Sequence, residues 1–478
     1  MSDMNPAIVT TFIIYLILVL LVGWKAFRRT HSVSDYVLGD RKLGSSVTAL
    51  SAQASDMSGW LLLGLPGFAY ASGAEALWLA LGLFLGTYLN WRLIAARLRV
   101  ATEKYGNALT LPDYLQNRFQ DDSGLLRIVS ALFILFFFLF YTSSGLVAGG
   151  KLFDTVFGLP YEWAVVTGAI VIVLYTMFGG FLAVSWTDAF QGTLMFIALI
   201  LVAILAILTL GGSEQALTAV ENKNPALLDI WTNAKGESLG FIAIASLLAW
   251  GLGYFGQPHI LARFMAIRSP SEIGTARRIA IFWVSATMLA AVIIGLSGIG
   301  LVQKPSDGDS ERIFMDLASL LLHPIPAGIC LAAILAAIMS TADSQLLVAS
   351  TALVENLYRP LFRKNASDKE RMLVGRVGVI MVAIGAVALA MDSNNKVLDL
   401  VAYAWAGFGA AFGPVILFSL FLKSMSRSAA IIGIITGGLT VVIWKQMSGG
   451  IFDLYELLPG FILASISILL LSAFDRKQ

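Results

Sequence analysis

Apolar runs of about 20 residues recur along the whole chain, separated by short polar connections. A helix of that length crosses about 30 Å of hydrocarbon, and lipid admits only helices or closed barrels, because their backbone hydrogen bonds are satisfied internally. The first run lacks a basic leader and a cleavage site, so we interpret it as a retained span. The pattern predicts an all-α polytopic membrane protein with thirteen transmembrane helices (spans 1 to 13), over residues 6–27, 46–72, 76–97, 125–149, 160–180, 184–211, 239–262, 278–303, 326–354, 373–392, 397–422, 427–446 and 455–474.

Two of these spans are interrupted by glycine and proline. Span 2 contains SAQASDMSGWLLLGLPG and span 7 contains AWGLGYFGQPHILARF. Paired interruptions five spans apart are typical of transporters built from inverted repeats, in which substrate and ions bind where the helices unwind. We therefore expect one membrane domain over residues 1–474, with repeats at 46–211 (spans 2 to 6) and 239–422 (spans 7 to 11), spans 12 and 13 at 427–474, and a cytoplasmic tail at 475–478.

Composition and charge agree with this class. The chain is 58% hydrophobic and 13% charged, whereas soluble domains are about 45–50% apolar and 25% charged. The loop after span 1 carries Lys25, Arg28, Arg29, Arg41 and Lys42, and alternate loops collect most of the remaining basic residues. The positive-inside rule then predicts the N-terminus outside and the C-terminus in the cytoplasm.

Several function classes lack support in the sequence. The single cysteine cannot form an internal disulfide, and three histidines are too few for a His-rich metal site. No nucleophile elbow, phosphate-binding glycine loop or zinc-protease motif is present, nor is a nucleic-acid motif. We predict a protein that is not an enzyme, with no evident protein partner beyond the surrounding lipids.

Three carboxylates fall within or at the edge of apolar runs, namely Asp56, Asp188 and Asp343. An ionised carboxylate at mid-membrane costs about 2.5–3.5 kcal/mol, so such residues are candidates for function; the alternative is a helix-end carboxylate that reaches water. Ser340 and Thr341 add hydroxyl oxygens in a small-residue run, although a buried hydroxyl often only bonds its own helix backbone. Oxygen ligands of this kind suit a hard cation such as sodium.

An organic solute needs an apolar wall. Trp60, Tyr141, Trp250, Tyr254 and Pro258 are the candidates, against the alternative that membrane aromatics form interfacial belts or fill the core. Trp250 and Tyr254 are spaced i, i+4, on one face of a helix beside the glycine interruption.

Six stretches of the chain resemble the solute:sodium symporter family, and in particular its proline-transporting bacterial members. They are ALSAQASDMSGWLLLGLPG, NALTLPDYL, GGFLAVSWTDAFQ, WGLGYFGQPHILARFMA, ILAAIMST and YAWAGFGAAFGP. The resemblance implies a LeuT-type core with a 5+5 inverted repeat. It also implies import of L-proline with co-transported sodium by alternating access, across the bacterial plasma (inner) membrane.

The resemblance also implies roles for individual residues. The carbonyls of Ala54, Met57 and Ala337 with the hydroxyls of Ser340 and Thr341 match a sodium site, and Asp56 matches a residue of sodium coupling. Arg41, Ser58 and Gly59 match gating positions. Proline would be bound by Trp60, Gly64, Tyr141, Trp250, Tyr254 and Pro258.

A further hypothesis is that Asp188, Asp343 and Ser344 form a second sodium site. Three alternatives stay open on the sequence: a symporter of another small zwitterionic solute, one that accepts lithium or protons, and a membrane sensor with a transporter fold. The last is disfavoured because the chain ends at DRKQ soon after span 13. A channel is disfavoured because two broken helices suit an occluded site.

Overall fold

The computed structural model describes residues 5–27, 33–178 and 180–475, and these residues are helical throughout apart from turns and two isolated β-bridges. The α-helices, in chain order, are α1 (Pro6–Phe27), α2 (Val33–Leu38), α3 (Ser45–Asp56), α4 (Leu65–Ser72), α5 (Ala76–Leu89), α6 (Ala95–Lys104), α7 (Leu111–Arg118), α8 (Leu125–Phe157), α9 (Tyr161–Phe178), α10 (Phe181–Thr209), α11 (Ser213–Lys223), α12 (Phe241–Ala249), α13 (Pro258–Ala266), α14 (Ile273–Leu301), α15 (Ile313–Leu321), α16 (Pro324–Thr351), α17 (Arg359–Leu361), α18 (Asp368–Ala390), α19 (Val397–Phe421), α20 (Arg427–Trp444) and α21 (Leu457–Phe474).

The predicted all-helical, multi-pass architecture is confirmed. Within the described residues nine helices are long and apolar enough to cross a membrane, or ten if a bent pair forms one span. The stretch from Trp60 to Lys104 counts once among the nine, although a turn at Gly73 (φ 70°) divides it between spans 2 and 3. Two further apolar helices, Pro6–Val22 and Tyr161–Leu174, are shorter. The count of thirteen therefore stays a prediction.

The first interruption separates α3 from the helical turns that follow. α3 ends at Asp56, and Met57 has non-helical angles (φ −83°, ψ 77°). The chain resumes as a π-helical segment, Trp60–Gly64, which leads into α4. At the break the N–H of Ser58 donates to the Asp56 carbonyl (3.0 Å). It is therefore turned away from its regular helical acceptor, the carbonyl of Ala54, which becomes available to side chains.

The second interruption lies between α12 and α13. A 3₁₀ segment, Trp250–Gly256, follows α12, and the two halves are bent by 46°. α13 starts at Pro258, where the missing N–H costs nothing and the preceding residue is pushed to an extended conformation. Gly253 is required here, because a Cβ at this position would lie 1.9 Å from the Trp405 indole nitrogen.

Both interruptions pack against the most buried helices. In its apolar window α16 is 83% buried and α19 is 78% buried, whereas α18 is only 28% buried. α16 packs on α3, α8 and α10, and α19 packs on the 3₁₀ segment and α8. The outer surface exposes large apolar side chains such as Phe282 (68%) and Ile384 (65%), as expected of a surface that faces lipid.

Candidate functional site

Four of the five predicted sodium ligands are joined by hydrogen bonds. The hydroxyls of Ser340 and Thr341 both donate to the Ala54 carbonyl, at 2.7 and 3.3 Å. Ser340 also lies 3.2 Å from the Ala337 carbonyl of its own helix. All four residues are buried, as is the fifth, Met57, which itself forms the break. The carbonyl freed by the broken helix thus meets the two hydroxyls of α16.

This oxygen set fits a hard monovalent cation. It consists of carbonyl and hydroxyl oxygens, which replace the hydration shell of such an ion without adding a fixed charge. Within the described residues no group of three or more His, Cys, Asp or Glu side chains is placed to hold a metal ion. Neutral oxygen ligands of this kind suit a hard cation such as sodium.

Asp56 is the last residue of α3, two residues after Ala54, and is fully buried. Its Oδ2 accepts a hydrogen bond from the Tyr254 hydroxyl (2.8 Å), while Oδ1 has no hydrogen-bond partner among the described protein atoms. Its main-chain carbonyl accepts from Trp60 Nε1 (3.1 Å) and from the Tyr141 hydroxyl (3.3 Å). Three of the predicted proline-binding residues therefore converge on Asp56.

Trp250 and Tyr254 lie in one aromatic cluster with two residues that the sequence did not single out. The Trp405 ring meets the Tyr254 ring edge to face (4.9 Å), and its indole N–H donates to the Trp250 carbonyl (2.7 Å). Tyr455 stacks on Trp250 at 5.3 Å. Trp405 lies in the family-like stretch YAWAGFG, so a signal was present. Nothing in the sequence pairs α19, or the residues before α21, with the second break.

The other predicted pocket and gating residues lie apart from the contact between Asp56 and Tyr254. Gly64 ends the buried π-helical segment. Ser58 is buried at the break, and a Cβ at Gly59 would lie 2.7 Å from the Ala148 Cβ, so only glycine allows α8 to approach. Pro258 lines a cavity of about 30 Å³ with residues of α7, α8 and α16.

Arg41 ties together three segments at one end of the molecule. Its guanidinium donates to the carbonyls of Met265 (2.6 Å) and Ala108 (2.9 Å), to the Thr102 hydroxyl (3.1 Å) and to the Asn107 side chain (3.0 Å). Partial burial lowers the pKa of Arg41 to about 10, so the group is charged at neutral pH. The contacts join the residues before α3 to the end of α6, to the loop that follows α6 and to the end of α13.

Two of the three residues of the hypothetical second sodium site, Asp188 and Ser344, contact a buried arginine. Arg263 Nη2 forms an ion pair with Asp188 Oδ2 at 3.0 Å, and both side chains are at most 1% exposed. The same oxygen accepts from the hydroxyls of Ser51 (2.7 Å) and Ser55 (3.1 Å). Arg263 Nη2 also donates to Ser344. We call Asp188, Arg263, Ser51, Ser55 and Ser344 the arginine cluster.

Asp343 borders the arginine cluster. Its Oδ1 is 3.4 Å from the Ser344 hydroxyl, and its Oδ2 has no hydrogen-bond partner among the described atoms. The sequence analysis missed Arg263, although it stands in the family-like stretch QPHILARFMA and the depth argument used for aspartates applies to it equally.

A second buried ion-pair group lies at the far end of α8 and also went unpredicted. Lys151 bridges Glu311 (2.5 Å) and Asp309 (2.7 Å). Glu311 in turn accepts from the main-chain N–H groups of Val397 and Leu398 at the start of α19. The group therefore links α8, the segment before α15 and α19.

The chain is similar over almost its full length to several named bacterial transporters. The sequence is 52% identical over 482 residues to the sodium/proline symporter of Escherichia coli strain K12, covering 100% of this chain and 94% of the relative. It is 49% identical to the osmoregulated proline transporter of Bacillus subtilis strain 168, with 99% and 96% covered. A high-affinity proline transporter of the same organism is 50% identical, with 96% of each chain covered.

Solved structures with low sequence identity share the fold. A Na+-coupled sialic acid symporter in a substrate-bound, outward-open state aligns with TM-score 0.81 at 18% identity, over 99% of this chain and 98% of that one. A complex of the protein MhsT with L-phenylalanine aligns with TM-score 0.53 at 16% identity, over 89% and 98%. These neighbours have the LeuT-type fold.

The family itself is identified by sequence. The sequence model of the sodium:solute symporter family matches residues 36–437, which include both interrupted segments, the Ala54–Ser340–Thr341 contact and the arginine cluster. The match covers most of the chain and agrees with the full-length relatives. The chain therefore belongs to the sodium:solute symporter family.

Proposed function

We propose that this protein is a secondary active transporter that imports L-proline together with sodium by alternating access. The observation that carries the proposal is the meeting of the Ser340 and Thr341 hydroxyls at the Ala54 carbonyl, beside the Asp56 carboxylate that Tyr254 contacts. The full-length relatives named as sodium/proline symporters support the same solute and ion. The function is therefore transport and not catalysis.

Sodium would bind to the carbonyls of Ala54, Met57 and Ala337 and to the hydroxyls of Ser340 and Thr341. An ion at this position holds α3 against α16 across the break, because its ligands come from both sides. Asp56 follows two residues after Ala54, so its carboxylate stabilises the positive charge without having to be a direct ligand. Its hydrogen bond to Tyr254 then connects the sodium site to the 3₁₀ segment between α12 and α13, so that ion binding changes the contacts of that segment.

Proline would bind beside Asp56, against the rings of Trp60, Tyr141, Trp250 and Tyr254 with Gly64 and Pro258 at its edges. The aromatic faces supply apolar contact for the pyrrolidine ring, and unpaired N–H groups at the start of a broken helix suit its carboxylate. Tyr254 contacts both the Asp56 carboxylate and the aromatic cluster, so binding of sodium and binding of proline are coupled. Linkage then requires bound sodium to raise the affinity for proline by the same factor as bound proline raises the affinity for sodium.

The energetics allow accumulation. A tenfold sodium gradient supplies ~1.4 kcal/mol and a potential of ~100 mV supplies ~2.3 kcal/mol per charge. One sodium ion per proline therefore supports an accumulation of roughly several hundredfold.

We further propose thirteen spans, with repeats at 46–211 and 239–422, in the bacterial inner membrane with the N-terminus outside and the C-terminus in the cytoplasm. The basic loops support this orientation by the positive-inside rule. Arg41 would then act on the cytoplasmic side, where its contacts to Met265 and Ala108 hold the inner exit closed. Ser58 and Gly59 would move with the break.

We propose one sodium ion per proline. Arg263 already places a positive charge against Asp188, so an ion bound by Asp188, Asp343 and Ser344 would have to share or displace that guanidinium. Desolvating a second cation beside the first is unfavourable. A second sodium ion at Asp188, Asp343 and Ser344 is the untested alternative, and the ratio of sodium to proline distinguishes the two.

The direct test is uptake of labelled L-proline into proteoliposomes with an imposed inward sodium gradient, with potassium as control cation. We expect uptake that needs sodium and that Asp56→Ala abolishes. The control variant Asp316→Ala should stay active, because it removes a carboxylate of α15 that accepts from the exposed Ser306 N–H. No sodium-dependent proline uptake by the intact protein would overturn the proposal and direct a screen of other small zwitterions.

A further inference from the structure

A groove with basic side chains lies between the end of α6, the helix α7 and the end of α19. It measures about 590 Å³ and is lined by four cationic residues, Arg97, Lys104, Arg118 and Lys423. No Asp or Glu is among its described lining residues. The groove therefore concentrates positive charge at one end of the helices.

These four cations have no carboxylate partner in the part of the chain that the structure describes. Of the described residues, no carboxylate lies within 4.0 Å of any of the four cations. Arg99, on the same helix α6, shows the contrast, because it pairs with Glu103 at 2.7 Å. The groove cations contact aromatic rings instead: Arg97 lies over Phe421 (4.6 Å) and Arg118 over Tyr105 (5.3 Å). Their charge remains available to an external anion.

The groove also borders the surface that faces lipid. Val100, which lines it, is 51% exposed, and Phe421, under Arg97, is 46% exposed. Arg118 is fixed in place because its Nε donates to the Ser419 carbonyl (3.3 Å), next to the buried Tyr114. Long basic side chains beside exposed apolar ones are the arrangement found where acyl chains meet headgroups.

We propose that this groove binds the phosphodiester headgroup of an anionic glycerophospholipid from the cytoplasmic leaflet. The proposal rests on the orientation proposed above, which places the ends of α6 and α19 inside. Arginine and lysine are the residues that recognise phosphate, and basic pockets between membrane helices on the cytoplasmic side bind such headgroups. A free phosphate shares this chemistry, but the exposed Val100 and Phe421 favour a ligand with acyl chains.

The test uses the full-length protein in nanodiscs with mixed phosphatidylglycerol and phosphatidylcholine, and lipids that co-purify after delipidation are counted by native mass spectrometry. The test variant is Arg97→Gln/Lys104→Gln/Lys423→Gln. The control, Arg278→Gln/Lys364→Gln/Lys369→Gln, removes the same charge from exposed residues away from the groove. Measurements are made without sodium or proline, so failure of the transport proposal leaves the result unaffected. Thermal unfolding in detergent checks that both variants are folded.

We expect the intact protein and the control to retain phosphatidylglycerol in preference to phosphatidylcholine. In the test variant the ratio of retained phosphatidylglycerol to phosphatidylcholine should be at least about fivefold lower. Equal retention of the two lipids by the intact protein would overturn the proposal, as would equal losses in the two variants. Competition by soluble glycerol 3-phosphate as effective as that by the lipid would identify a free-phosphate site and also overturn it.

Discussion

Two polar clusters join α3 to α16 within about one helical turn of each other, and they differ in charge. The first consists of the Ala54 and Ala337 carbonyls with the Ser340 and Thr341 hydroxyls. The arginine cluster holds Asp188 and Arg263 as an ion pair at 3.0 Å. Both are buried and both rely on hydroxyl groups. Only the arginine cluster contains its own cation.

Under the proposed function, the difference separates an exchangeable cation from a permanent one. The hydroxyls of the first cluster can donate to the Ala54 carbonyl, so its oxygens have partners whether or not an ion is bound, and releasing an ion leaves no unpaired charge in the membrane. Asp188 also accepts from the Ser51 and Ser55 hydroxyls, but neutral donors do not balance the charge of a carboxylate within the membrane, which needs a counter-charge. A transport site should resemble the first cluster and a structural site the second.

The largest effect is expected when the permanent cation is removed. Arg263→Ala leaves Asp188 buried and unpaired, which typically costs about 3–5 kcal/mol. We expect sodium-dependent uptake to fall by more than about 100-fold, either because less protein folds or because the folded protein is inactive. Size-exclusion chromatography in detergent measures the yield of folded protein and separates the two causes.

The matched control is Arg268→Ala, which removes an exposed arginine paired with Glu272. The double variant Arg263→Gln/Asp188→Asn, which removes both charges, should recover part of the loss. Uptake by Arg263→Ala close to that of the intact protein would show that the ion pair is not needed and would end the distinction between the two clusters.

The next largest effect is expected at the contact between Asp56 and the aromatic cluster. Tyr254→Phe removes the donor to Asp56 Oδ2, and hydrogen bonds to charged groups contribute about 1.5–3 kcal/mol. Transport efficiency should fall roughly 10- to 100-fold, with weaker apparent affinity for both sodium and proline. Tyr70→Phe, whose hydroxyl donates to Val302 elsewhere, is the control. A change confined to proline affinity would break the proposed link from Asp56 to the sodium site.

Removal of single neutral oxygens should have a smaller effect. Ser340→Ala or Thr341→Ala should raise the sodium concentration for half-maximal uptake by about tenfold, because each removes one ligand. Thr351→Ala serves as a control on the same helix, since among the described residues its hydroxyl donates to the Leu347 carbonyl of its own helix and to no other group. An unchanged sodium dependence in both variants would remove the first cluster from the transport site.

The smallest effect is expected at the edge of the aromatic cluster. Trp250→Ala removes the ring stacked on Tyr455 and should raise the proline KM by about fivefold, with sodium dependence unchanged. Trp163→Ala, which is 67% exposed, is the control. Equal shifts in sodium and proline dependence would place Trp250 in the coupling machinery instead of the pocket wall.

The sequence predicted the first cluster better than the arginine cluster, for a physical reason. Asp56, Ser340 and Thr341 stand out because polar groups in apolar runs are costly, and the structure brings Ser340 and Thr341 onto the backbone two residues before Asp56. The same cost applies to Arg263, but spacing along one helix does not show that α13 brings it to Asp188. Trp405 and Tyr455 were missed for the same reason.

The fold was also predicted unevenly. Hydropathy located the apolar helices, and glycine with proline located both interruptions, because these residues alter the backbone locally. The Lys151–Glu311 pair joins α8 to the segment before α15, a contact between residues 160 positions apart in sequence. Such long-range pairing leaves no local pattern.

The measurement that tests the distinction between the two clusters most directly is the number of sodium ions carried per proline. It is obtained from the reversal potential of proline flux in proteoliposomes, with sodium and proline gradients set independently. The account predicts one sodium ion per proline, since only the first cluster exchanges its cation. A ratio of two would contradict it and would require a second sodium site, for which Asp188, Asp343 and Ser344 are the candidates.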